Sequence, residues 1–162
     1  MTAGSDGDFV FEGQGEFEIV MAFSFDASPE RVFAAWNDTS GMANWYGPEG
    51  HELIVAEQDF RVGGSWRYGT RDEAGEETIL YGVYQEIVPG SRMVNTEIFA
   101  GMPDFETTVT STFEAEGEGT RLTAVVLHPM TESRDGAMAS GMEQGVRQTF
   151  ERFAAHLAAT QE

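Results

Sequence analysis

The chain has 162 residues, of which 41% are hydrophobic and 12% aromatic, enough for one domain with a real core and too apolar for a disordered chain. Its 28 acidic residues oppose nine basic ones, all of them arginine, and a net charge of −19 disfavours nucleic acid and anionic lipid as partners. Cysteine is absent, which removes disulfides and thiol chemistry. No twenty-residue apolar run offers a membrane span, and no basic-then-apolar leader marks secretion, so a cytoplasmic protein is expected. The acidity has two readings: a well-solvated surface with coding bias, or adaptation to high salt.

Residues 1–15 are rich in glycine and acidic residues and are expected to be mobile, with Phe9, Val10 and Phe11 able to add a short strand. From Glu16 a period of two sets in. Phe17, Ile19, Met21, Phe23 and Phe25 share one face of a strand. Ser28-Pro29-Glu30 then opens a helix with a capping serine, a first-position proline and an acid at the positive end. Val32, Phe33 and Trp36 form its buried side. A second short helix carries Met42, Trp45 and Tyr46 and stops at Gly47-Pro48.

Six strands are expected next: 52–57, 65–70, 78–88, 92–99, 105–114 and 120–128. Their short links imply antiparallel pairing, and Gly117-Glu118-Gly119 reads as a hairpin turn. The C-terminal stretch 137–159 has the period of a helix, with Met138, Met142, Val146, Phe150, Phe153 and Leu157 in one stripe. Gly141 and Gly145 beside that stripe each cost about 1 kcal/mol in a helix interior, so close packing or room for a ligand is expected there. The predicted fold is α+β: a curved antiparallel sheet of about seven strands, two short helices after the first strand, and a long helix over the open face. Residues 16–162 are expected to form one domain.

This order and its motifs resemble the SRPBCC, or START-like, superfamily, in the branch of the heat-shock ATPase activator homologues. The matching stretches are 28–36, 45–50, 59–68, 82–89, 120–123 and 140–146, in order across about 17–157. The resemblance implies the helix-grip fold with a cavity between the long helix and the sheet. Related branches bind lipids, hormones or aromatic polyketides, and a few catalyse cyclisation or aromatisation. Fold alone does not fix function.

Candidate ligand-binding residues are Trp45, Trp66, Tyr68, Tyr84, Asn95, Glu97, Met138, Met142, Val146 and Phe150. Indole and phenol rings supply broad apolar area with one polar tip, and methionine adapts to irregular ligands. Trp36, Trp45 and Trp66 read equally as core anchors. Arg67 and Tyr81 join Tyr68 and Tyr84 as groups able to orient a carbonyl or carboxylate. Asn95 and Glu97 share one face of their strand with Met93 and Phe99. If that face is inward, Glu97 has a raised pKa suited to acid or base work; if outward, it is an ordinary solubilising residue. Glu97 and His128 are the catalytic candidates. His51, His128 and His156 match no metal-ligand spacing, and no nucleophile elbow or phosphate loop occurs, so neither metal nor cofactor is expected. The leading reading is a binding protein for a small apolar or aromatic molecule, monomeric or homodimeric. The alternatives are a cyclase, dehydratase or isomerase using the same cavity, and a co-chaperone-like interaction module.

Overall fold

The computed structural model describes residues 7–160. Eight strands form one antiparallel sheet: β1 Val10–Gln14, β2 Glu18–Phe25, β3 Glu52–Gln58, β4 Ser65–Arg71, β5 Glu77–Val88, β6 Arg92–Phe99, β7 Thr107–Glu116 and β8 Gly119–Leu127. Their order across the sheet is β1-β2-β8-β7-β6-β5-β4-β3, so the last strand docks beside β2 and the meander from β3 to β8 completes the sheet. The extra strand relative to the expected seven is β1. It lies within the segment expected to be mobile, pairs with β2 from Val10↔Ala22 to Gln14↔Glu18, and leaves residues 1–6 outside the described residues. Just before it, Phe9 packs on Phe23 and Phe150, and Arg147 lies over its ring at 4.5 Å.

Helix α1, Pro29–Trp36, begins as the sequence dictates: Ser28 Oγ accepts from Arg31 N–H, and Pro29 occupies the first turn. The second short helix is a 3-10 helix, Thr39–Asn44, capped by Asp38 through Ser40 N–H. The β7–β8 link tightens to two residues, since Glu116 pairs with Gly119. Gly117 takes φ +60° at the first central position, the place a II′ hairpin turn reserves for glycine.

The C-terminal stripe differs from one continuous helix. It divides into α2, Thr131–Ala139, and α3, Met142–Ala159. The break is Gly141, at φ +87° with open space around its Cα, a left-handed junction that side-chain-bearing residues adopt at a cost. Gly141 is therefore not an interior helical glycine. Gly145 is interior, and a Cβ there would meet Pro48 Cγ at 3.2 Å, so its missing side chain permits close packing on the 47–48 loop.

Strand alternation sends Phe23 and Phe25 of β2, Leu122 of β8, Phe113 of β7 and Met93 of β6 to the helix-covered face. There Phe150, Phe153 and Leu157 of α3 meet them, with Trp36 and Trp45 from the short helices. The Phe153 ring lies 5.2 Å from Phe25, 4.9 Å from Trp36 and 4.7 Å from Trp45, each edge to face. Two arginines clamp α3 at its flanks. Arg31 donates to the Leu157 carbonyl at 2.6 Å, where a helix C-terminus favours a cation. Arg152 donates to the carbonyls of Gly47 at 2.6 Å and Pro48 at 3.2 Å, fixing the loop that follows Tyr46.

Candidate functional site

Beyond the aromatic core, the same covered face continues along β3 to β7 with a different character. The register aligns Gln58 with Trp66, Ala56 with Tyr68, Tyr84 with Asn95, and Glu97 with Thr107. Alternation keeps Trp66, Tyr68, Tyr84, Asn95 and Glu97 on one side and turns Arg67 and Tyr81 to the other. The expected group of Arg67 and Tyr81 beside Tyr68 and Tyr84 is thus corrected by the pleat: neighbours in sequence cannot share a sheet face.

The phenols form a bonded cluster. Gln58 Nε2 donates to Tyr84 Oη at 3.0 Å and to Tyr68 Oη at 3.2 Å, and the two hydroxyls are 3.3 Å apart. Tyr68 stacks obliquely on Trp66 at 4.9 Å and meets Tyr46 edge to face at 5.5 Å. Trp66 Nε1 and Asn95 Nδ2 both donate to the Thr96 carbonyl, at 3.2 and 3.1 Å. The β5–β6 register shifts between Tyr84 and Glu86. Nearer Glu97, Val83 N–H is bonded to Thr96 Oγ1 at 2.9 Å, and at Gly82 a Cβ would strike the Thr96 carbonyl.

Glu97 is the unusual group. Its backbone carbonyl accepts from Thr107 Oγ1, but its carboxyl has no hydrogen-bond partner among the described residues. Tyr46 likewise has no partner for its hydroxyl, and it senses the Glu97 charge. Trp45 Nε1 is the only fully buried side-chain polar atom without a partner among the described residues. The unpartnered Glu97 oxygens and Tyr46 hydroxyl, on half-buried residues, therefore keep accessible surface of their own. Desolvation by burial pushes the Glu97 carboxyl up to about 7. Burial also lifts the Tyr46, Tyr68 and Tyr84 phenols above their ordinary range, so all three stay neutral.

The structure disperses the remaining candidates. Trp45 is 2% exposed and stacks on Trp36 at 5.0 Å, within the aromatic core. Phe150 stacks on Phe23 at 5.3 Å in that same core. Met138 belongs to α2, and its sulfur lies against Gly13 of β1. Met142 and Val146 begin α3 and are half-buried, with Val146 packed on the core. His128 follows β8, two strands from Glu97 and hence about 10 Å away across the sheet. Its Nδ1 is 3.3 Å from Ser133 Oγ, and burial and Arg134 lower its pKa, so it does not join Glu97. Tyr46 and Gln58 complete the cluster and were not among the sequence candidates. Gln58 carried a signal, as the polar end of an otherwise apolar strand face; Tyr46 carried none, since the loop after a 3-10 helix has no period.

Two open concavities of about 400 Å³ lie elsewhere. One is acidic, at Asp8, Asp26, Glu116 and Glu118; the other runs by Glu57, Gln58, Trp66, Arg67 and Tyr81, and neither includes Glu97. Among the described residues no three acidic or histidine side chains are placed to hold a metal ion, and no helix is long and apolar enough to cross a membrane.

Residues 26–158 match the family model described as Activator of Hsp90 ATPase homolog 1-like protein. Among solved structures, a Rhodobacter sphaeroides protein superposes with a TM-score of 0.87 at 23% identity, over 94% of this chain and all of that one. The AHSA1 protein of Silicibacter pomeroyi gives 0.71 at 21% identity, over 88% of this chain and 98% of that one. A Chromobacterium violaceum protein gives 0.71 at 30% identity, over 85% and 94%. Curated proteins yield no match.

Proposed function

Given that the chain belongs to the Activator of Hsp90 ATPase homolog 1-like family, with its helix-grip fold, we propose that it binds a small, largely apolar or aromatic molecule between α3 and the covered face of the sheet. The observation that carries this reading is the pair of unpartnered polar groups, Glu97 and Tyr46, that keep accessible surface beside the rings of Trp66 and Tyr68. A packed core does not leave a carboxyl unsatisfied without cost, whereas a binding site needs a few convergent polar groups in an apolar wall. Met142 and Val146 supply the helix side of that wall, and Asn95 and Tyr84 its floor.

The test is titration with the neutral fluorophore N-phenyl-1-naphthylamine. One saturable site is expected in the parent, and Val146→Trp, which fills the space, should weaken it. No saturable binding, or equal binding by the folded variant, overturns the reading.

A second reading is proton transfer on the bound molecule. It is favoured by the value of about 7 for Glu97, which leaves comparable amounts of acid and base at neutral pH. The phenols, held neutral, serve as donors and not as bases. In that case Glu97→Gln abolishes solvent deuterium incorporation into the ligand and spares binding of the neutral fluorophore.

A further inference from the structure

The polar groups that end in the covered face beside Trp66 and Tyr68 share one property. Ionised Glu97 offers only acceptor lone pairs. Asn95 commits one amide N–H to the Thr96 carbonyl, and its carbonyl oxygen has no partner among the described residues and can accept. The Tyr46 hydroxyl can accept as well as donate. The nearer hydroxyls of Tyr68 and Tyr84 already receive Gln58 N–H.

Among the described residues no cation is paired with this wall. Arg67 is on the opposite sheet face, and Arg152 spends its guanidinium on the carbonyls of the 44–48 loop. Arg134 and Arg31 bind backbone carbonyls at the two ends of the helical layer. His51 pairs with Thr70, and His128 with Ser133. The titratable groups facing Glu97 are thus the phenols of Tyr46, Tyr68 and Tyr84, contributed by the loop after the 3-10 helix and by β4 and β5, and none is positive. The aromatic faces add negative potential, which attracts a cation. At a distance, a net charge of −19 draws cations in and repels anions.

An anionic ligand finds no counter-charge here and would face an unpaired carboxylate. A neutral carbonyl compound finds phenol donors but leaves ionised Glu97 without a partner. A primary ammonium brings three donors and no acceptor, which matches three acceptors and no cation. We propose that the site takes a primary amine in its cationic form, its N–H groups reaching Glu97, Tyr46 and Asn95 and its apolar or aryl body lying on Trp66 and Tyr68. This rests on the binding site proposed above and names its ligand class. The amine supplies the counter-charge that Glu97 lacks, so binding favours the ionised carboxylate and releases its proton to solvent.

The experiment is calorimetric titration with phenethylamine and with phenethyl alcohol, which share size and ring and differ in charge, at pH 6 and pH 8. At pH 8 the amine should bind at least about tenfold more tightly than the alcohol, as a charge-assisted pair in a partly desolvated site demands. Its affinity should fall at pH 6, where Glu97 is protonated, while that of the alcohol stays level. E97Q should erase the amine's advantage over the alcohol. Equal or tighter binding of the alcohol at pH 8, or an amine advantage that survives in E97Q, overturns the ligand class and leaves the binding site standing. Failure of both molecules to bind overturns the ligand class and the site together.

Discussion

Replacing Glu97 with glutamine should stabilise the protein, and should do so only above the acid range. In the folded chain its carboxyl titrates at about 7, against the ordinary value of 4.5 that an unfolded chain restores. The folded form therefore holds its proton more tightly, and stability is lost as pH rises from 4.5 through about 7, then levels off. At about 1.4 kcal/mol per tenfold step in proton affinity, the full cost of ionising Glu97 in place is about 3 kcal/mol. At pH 5 less than about 1 kcal/mol of this has accrued, because the unfolded carboxyl is only just ionised. Glutamine keeps the shape, carries no charge and removes the penalty. Urea melts of parent and Glu97→Gln at pH 5 and pH 8.5 read the effect directly. The advantage of the variant should grow by about 2–3 kcal/mol between the two pH values, a large fraction of an ordinary domain's stability. Taking the difference between the two proteins cancels the titration of the other 27 carboxylates. An advantage that is the same at both pH values would show that Glu97 titrates as an exposed acid, and the argument from its desolvation would fail.

Three further outcomes follow from the packing. Phe153→Ala should cost about 3–5 kcal/mol in urea melts, since Phe153 is fully buried among Phe25, Trp36 and Trp45; a loss below about 1 kcal/mol would mean that α3 docks by another face. Gly141→Ala should cost about 1–2 kcal/mol through backbone strain alone, because the φ of +87° is unfavourable while the space for a Cβ is open; an unchanged melt would show that α2 and α3 are not joined through a left-handed residue. The melting temperature should climb with sodium chloride up to 1 M, where the Debye length is about 3 Å. Five ion pairs, all with exposed acidic partners, are formed among the described residues, so most carboxylates repel unscreened. A flat or falling curve would assign the acidity to coding bias without a role in stability.

The elements of this fold are legible in the sequence because each carries a local cause. Alternation marks β2, serine and proline open α1, paired glycine signals set the β7–β8 turn, and the stripe at Phe150, Phe153 and Leu157 faces the sheet as its spacing requires. Family membership was legible too, because six short stretches recur in order. Local pattern misses events that depend on one torsion or on a distant partner. A helical period runs unbroken through Gly141, since periodicity does not register a single positive φ. Tertiary contact decides the rest. Asn95 and Glu97 necessarily share a face, but only the pairing of β6 with β5 and β7 decides that this face meets the helices. Arg67 and Tyr68 are adjacent in sequence and on opposite sides of the sheet. Tyr46 reaches Tyr68 and Glu97 because Arg152, more than a hundred residues later, holds the loop behind it. Sequence spacing determines which residues travel together; which groups they meet is settled only when the chain closes on itself, and the titration of Glu97 is a property of that closure.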